Sequence, residues 1–198
     1  MKQAYHHGAL REALIAAAGT ILERDGITAL TLRAAAREAG VSHAAPAHHF
    51  GSLAGLLSEL AAAGFVRFRE TIAAEVAAAA PTPDARALAV SRGYVGFARA
   101  APGLFRLMFR SEQLDWTNAA LEREGAAAFM LLLPPEADDG PVLPTSPQAL
   151  NTAMAHWSMV HGLASLLIDG RLQAVASKMH PGVDIEQLIA QIIRTGAG

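Results

Sequence analysis

The sequence predicts an all-α protein of about nine helices, and three observations lead there. The first is composition. Of the residues, 52% are hydrophobic but only 6% aromatic, and much of the apolar excess is alanine, a strong helix former small enough for close helix packing. The second is spacing: apolar residues recur three and four apart along most of the chain, and no strand-like alternation survives a pass through it. The third is punctuation, with Ser, Thr or Asp at N-cap positions and Gly or Pro at the breaks. At 198 residues the chain is long enough to bury a substantial core, as one domain or two small ones.

The first helix is expected over residues 8–25, where Leu10, Leu14, Ala17, Ala18, Ile21 and Leu22 trace one face and Gly26 supplies the stop. Ile27, Ala29 and Leu30 then lead into the stretch that organises the rest, residues 31–50. Thr31 suits an N-cap, and Leu32, Ala35, Ala36 and Ala39 follow at helical spacing. Gly40 offers positive φ at no steric cost, Val41 is the expected apolar plug of the corner, and Ser42 can cap a second short helix. Helix, tight turn, helix is the geometry of a helix-turn-helix, whose second helix can enter a major groove. Pro46 falls in the fourth position of that helix as expected from residue 43, which would cost one backbone hydrogen bond.

From Ser52 a long helix keeps its apolar face (Leu53, Leu56, Leu57, Leu60, Gly64, Phe68) to about Ala79. Thr82-Pro83 suits N-cap and N1 of a helix ending near Ala100, and Pro102 opens another through Arg110. A further helix is expected from about Trp116 to Leu133. Residues 134–147 hold five of the ten prolines together with Glu136, Asp138, Asp139 and Gly140, which reads as a surface loop. Ser146-Pro147 caps the next helix, apolar nearly all round from Gln148 to about Asp169 (Leu150, Met154, Trp157, Val160, Leu163, Leu166) and stopped by Gly170. Asp184 and Gln187 form a cap pair for a last helix carrying Ile185, Leu188, Ile189, Ile192 and Ile193.

Several function classes drop out. There is no cysteine, hence no disulfide framework and no thiolate metal site. His156 and His161 are five apart, as are His43 and His48, so neither pair shares a helical face as metal ligands would; no metal or cofactor is expected. No Gly-x-Ser-x-Gly, phosphate-binding glycine loop or carboxylate pair points to an enzyme. The N-terminal residues lack an apolar signal core, and no uncharged apolar run of membrane-spanning length occurs, so a soluble cytoplasmic protein is expected. The net charge of −2 is mildly polarised: residues 1–70 carry seven Lys/Arg against six acids, and the remainder nine against twelve. Five of the eight histidines also precede residue 50. The sign suits a nucleic-acid partner, although the imbalance is small.

In the order of its parts the chain resembles a TetR-family transcriptional regulator over essentially its whole length. The resemblance rests on the first helix with its glycine stop, on Leu30-Thr31-Leu32-Arg33, on Ala39-Gly40-Val41-Ser42, and on His49-Phe50 followed by Ser52 and Leu56. The second half is similar to a subgroup with a Trp-x-x-x-His-Gly signature, here Trp157 to Gly162, and with a motif like Pro102-Gly103-Leu104-Phe105-Arg106-Leu107-Met108-Phe109.

The resemblance implies a DNA-binding domain at 1–52 and a ligand-binding and dimerisation domain at 53–198. Thr31, Arg33, His48 and His49 would contact phosphates, while Ser42, His43, Ala44 and Ala45 would face bases or phosphates at the tip of the recognition helix. Phe105, Met108, Phe109, Trp116, Phe129 and Met130 would line an effector pocket together with Trp157, with His156 or His161 as its polar group, which suits a small hydrophobic or aromatic ligand. For each of these large side chains ordinary core packing is the competing reading. The last two helices would pair with their two-fold mates in a homodimer, and a ligand would release a repressor from a palindromic operator. Two departures weaken the expected grip: Ala47 stands where the family usually has a tyrosine, and Leu53 where it has a lysine. Fewer phosphate contacts mean lower affinity and a shallower salt dependence, and leave open a ligand-binding helical dimer with weak or lost DNA binding.

Overall fold

Six helix starts are fixed by side chains that the sequence places at N-cap positions. Thr31 Oγ1 accepts from Ala34 N (3.0 Å), Ser52 Oγ from Gly55 N (3.1 Å) and Thr82 Oγ1 from Ala85 N (3.3 Å). Asn118 Oδ1 accepts from Leu121 N (2.9 Å), Ser146 Oγ from Ala149 N (3.2 Å), and Asp184 Oδ1 from the amides of both Glu186 and Gln187. Each satisfies a backbone donor that the first turn would otherwise leave open. A computed structural model describes residues 2–109, 111–133 and 146–196; the proline-rich segment up to Thr145 and Arg110 lie outside the described residues.

Among the described residues the fold is all helix, without strands, in the order α1 (Lys2–Asp25), α2 (Leu32–Glu38), α3 (Ala45–Phe50), α4 (Leu53–Ala77), α5 (Pro83–Ala100), α6 (Pro102–Met108), α7 (Ala119–Met130), α8 (Pro147–Ile168), α9 (Arg171–Met179) and α10 (Ile185–Gly196). Single 3₁₀ turns cover Ile27–Ala29 and Ser111–Gln113. The all-α expectation stands, with one helix more than anticipated. That helix is α9, which follows Gly170 at φ 68° and has no side-chain cap to announce it. In α7 the start falls later than Trp116, because Asp115 takes Thr117 N into a side-chain turn (3.0 Å) and Asn118 becomes the cap.

The helices fall into two compact units. Residues 1–65 and 101–125 form one, and residues 66–100 and 126–198 the other. In the first, Leu14, Ala18, Ile21, Leu30, Ala35 and Ala36 from α1, α2 and the turn between them are buried together with Leu56 and Leu60 of α4. Glu23 ties α1 to α6: its carboxylate accepts from Gly103 N (3.0 Å) and Leu104 N (2.7 Å), capping a helix whose own N-cap residue, Ala101, has no polar side chain. In the second unit, Phe68 meets Tyr94 and Phe97 edge-on at 4.9 and 5.4 Å, and Val160, Leu163 and Ala164 of α8 and Ile189 and Ile193 of α10 are buried. Arg99 of α5 holds Glu186 of α10 through two hydrogen bonds at 2.8 and 2.9 Å. No helix among the described residues is long and apolar enough to cross a membrane.

Candidate nucleic-acid interface and ligand cavity

The corner between α2 and α3 is built by short-range chemistry. Thr31 starts α2, Ala35 and Ala36 turn inward, and Gly40 at φ 67° reverses the chain, with Val41 N returning to Ala36 O at 3.0 Å. Val41 closes the corner while remaining half-buried. Ser42 Oγ accepts from Ala44 N (3.3 Å), so the capping hydroxyl acts one turn before the helix proper, which begins at Ala45. Pro46 is therefore the second residue of α3 and not the fourth. Its missing N–H is one that the first turn could not have paired, so no hydrogen bond is lost, and its ring is fully buried beneath the corner.

The outer side of this corner is polar and accessible. Thr31, Arg33, Ser42, His43, Ala44 and His48 are exposed, and Ala45 and His49 half-buried. The structure thus brings the eight expected DNA-contact positions onto the start of α2, the turn and the length of α3. His48 and His49 lie edge to face at 5.5 Å. On the inner side, the Arg11 guanidinium lies 5.7 Å from the centre of the Phe50 ring and pairs with Glu59, so α1 braces both α3 and α4. Arg24 forks onto Glu38 at 3.1 Å twice, fixing the end of α2 to α1. The hydrogen bonds from Arg24 hold both Glu38 and Asp25 below the usual carboxylate range.

Large side chains expected around a ligand separate into two groups. In the first unit, Phe105 and Met108 are buried, and Phe109 packs on Phe105 at 5.0 Å and on Phe65 at 5.9 Å. Trp116, in the same unit, is 48% exposed on its turn. In the second unit, Phe129 lies edge-on to Trp157 at 5.9 Å, with Met130 half-buried beside it in sequence. A cavity of about 570 Å³ opens in this second unit, between the first turns of α5, Leu131–Leu133 and one side of α8. Ala87, Val90, Leu132, Ala153 and Met159 make its apolar walls, and His156 is the expected site residue found on them.

Residues 14–60 match the family model of bacterial regulatory proteins of the tetR family, and residues 87–194 match that of the tetracyclin repressor-like C-terminal domain. The chain belongs to the TetR family. It is accordingly a DNA-binding transcriptional regulator of a non-enzymatic family whose members bind small effectors and form dimers. A structure from Rhodococcus sp. RHA1, of unknown function, is 33% identical with a TM-score of 0.77, covering 98% of this chain and 97% of the other. A TetR-like transcriptional regulator, also from Rhodococcus sp. RHA1, shares 15% identity at a TM-score of 0.61, with 95% and 93% covered. The multidrug binding protein EbrR, solved with imidazole, shares 20% at 0.58, with 94% and 93% covered. No curated protein matches the chain.

In this TetR-family chain α5 and α8 are joined by two polar clusters; His156 and His161 of α8 are satisfied by the protein, one of the two readings the sequence left open for them, while their α5 partners, Ser91 and Tyr94, were missed. Tyr94, fully buried, accepts from Trp157 Nε1 (3.2 Å) and donates to His161 Nδ1 (2.8 Å). Burial pushes the Tyr94 phenol up and holds the His161 imidazole below the usual histidine range, so both are neutral and the single phenolic hydrogen suits the unprotonated Nδ1. One turn earlier, His156 Nδ1 donates to Gly196 O (3.1 Å), while Nε2 meets the hydroxyl of buried Ser91 at 3.2 Å. The available signal was a polar residue on the buried face of α5: Ala87, Ser91 and Tyr94 recur at helical spacing.

The depressed His161 sets a pH dependence. Above the unfolded-state value near 6.5 both states carry a neutral ring; below it the unfolded chain gains a proton that the folded chain resists, so stability falls as pH drops through and below 6.5. His161→Gln, which can offer Tyr94 a non-titrating acceptor, is expected to flatten the loss of urea midpoint between neutral and mildly acidic pH. An unchanged pH slope in the variant would assign the loss to other groups.

Proposed function

We propose that the protein is a homodimeric repressor that holds a palindromic operator in the cytoplasm and releases it when a small apolar or aromatic ligand is bound. Residues 1–52 are the reading head and residues 53–198 the ligand-binding and dimerisation part. The observation that carries the reading is the corner itself: a Thr31-capped α2, Gly40 in the left-handed region, and an α3 whose small, exposed tip (Ser42, His43, Ala44) permits close approach to base edges. Arg33 and Thr31 at the start of α2, and His48 and His49 at the end of α3, take phosphates on either side. Dimerisation uses α8 and α10, because α8 leaves Leu150 and Leu166 more than two-fifths exposed on a single chain. The ligand enters the cavity beside His156; Trp157, Phe129 and His161 are not among its lining residues, and Phe105, Met108 and Phe109 serve as core.

Gel retardation on the DNA flanking the protein's own gene tests the reading. A shifted band at low salt that an apolar ligand dissolves is expected; a chain that retards no palindromic fragment at low salt would overturn it. A second reading, a ligand-binding dimer that no longer holds DNA, is favoured by one observation: Ala47 is exposed on α3, and Leu53 opens α4, where the family's tyrosine and lysine would reach phosphates. Retention on heparin at low salt separates the two. The repressor is expected to bind with a shallow salt dependence, since fewer counterions are released.

A further inference from the structure

We infer that the ligand of the His156 cavity is an amphipathic carboxylate whose acid group pairs with Arg86; the inference rests on the cavity being the effector site. The polar groups on the cavity wall are few. His156, one of the two histidines that the family resemblance offers as a polar group, has both ring nitrogens committed to the protein, one to Gly196 O and one to Ser91 Oγ. Thr152 is exposed and uncharged. That leaves Asp84 and Arg86 as the two charges. Asp84 is exposed to solvent, whereas Arg86 is half-buried, and neither makes a side-chain hydrogen bond or ion pair among the described residues. Two apart on α5, they do not face one another across the helix.

A half-buried guanidinium beside alanine, valine, leucine and methionine walls is a group that gains from a charged partner. A carboxylate accepts two parallel N–H bonds from it in a fork geometry. The positive end of α5, an eighteen-residue helix whose first turn lines the same cavity, acts in the same direction. The rest of the space admits an apolar body, and its volume lies within the range of small-molecule sites. An amphipathic cation is disfavoured inside, because Asp84 stands in water and offers it only a screened attraction.

The test uses three ten-carbon probes that differ only in the head group and its charge: decanoate, decanamide and decylammonium, with shorter and longer homologues, titrated calorimetrically into the full-length protein below their micellar concentrations. The carboxylate is expected to bind about tenfold or more tighter than the amide, in line with a charge-assisted pair of about 1.5–3 kcal/mol. Arg86→Gln is expected to erase that preference while leaving amide binding unchanged, and Arg86→Lys to restore part of it. Ala155→Phe, at an exposed position on the wall, is expected to weaken all three. Equal binding of the three probes, tighter binding of the ammonium, or a carboxylate preference that survives Arg86→Gln overturns the inference and leaves the cavity as a site for neutral or cationic ligands. Failure of every homologue of all three probes to bind overturns the inference and the effector site together.

Discussion

Ala44→Glu is expected to lower operator affinity by at least about a hundredfold, because it sets a carboxylate against phosphates or base-edge acceptors in both protomers, and like charges brought together cost several kcal/mol. The variant isolates binding from folding. Ala44 is exposed and sits immediately before the first residue of α3, where a negative side chain is favoured by the helix dipole by about 0.3–1 kcal/mol. Helicity and dimer elution volume should therefore match the parent. Fluorescence anisotropy on a labelled operator, beside size exclusion, reads both quantities. Retained DNA binding would mean that the α3 tip does not face the duplex.

A large stability effect is expected in the second unit, at Gly93. A Cβ there would lie 2.8 Å from Ile72 Cα and 3.0 Å from Ile72 Cγ1, against the backbone of α4, which has no rotamer to yield. Alanine gains about 1 kcal/mol over glycine in a helix interior, yet overpacking of this kind costs about 1–3 kcal/mol or more. Gly93→Val adds two methyl groups to the clash, forgoes most of the propensity gain, and is expected to cost more than Gly93→Ala. Gly96, three residues on in α5, is exposed with nothing within 4 Å of a built Cβ, so Gly96→Ala should stabilise by about 0.5–1 kcal/mol. Opposite signs from the same substitution on one helix are measurable by urea unfolding at a fixed protein concentration. Equal effects would deny that α4 and α5 approach this closely.

What the sequence disclosed was chemistry acting over a few residues. Thr31, Thr82, Ser146 and Asp184 cap helices within three positions of themselves, and Gly26, Gly40 and Gly170 take the positive φ that only a residue without Cβ adopts readily. The corner at 31–50 was legible for that reason. Pro46 was misjudged by position alone: two residues' difference in where α3 starts turns a lost hydrogen bond into none. Helix α9 went unseen because its N-cap is a glycine with no side chain to signal a start.

The candidate ligand site was less legible, since its determinants lie far apart in the chain. Tyr94 and His161 are 67 positions apart, Ser91 and His156 are 65, and no local spacing records either pairing. Bulk was a poor guide for the same reason: Phe105 and Phe109 find each other one turn apart, whereas the cavity beside His156 is walled mainly by alanine, valine and leucine. Glu23, which caps α6 from α1, reads in sequence as one more exposed acid.

The central claim is that two copies of this corner read an inverted repeat. The direct measurement is selection of bound duplexes from a random-sequence pool by the full-length protein at low salt, followed by sequencing. The account predicts enrichment of a palindrome with two half-sites related by the dimer axis, absent when the selection is repeated with Ala44→Glu. A pool that stays unenriched, or one from which Ala44→Glu selects the same palindrome, would contradict it.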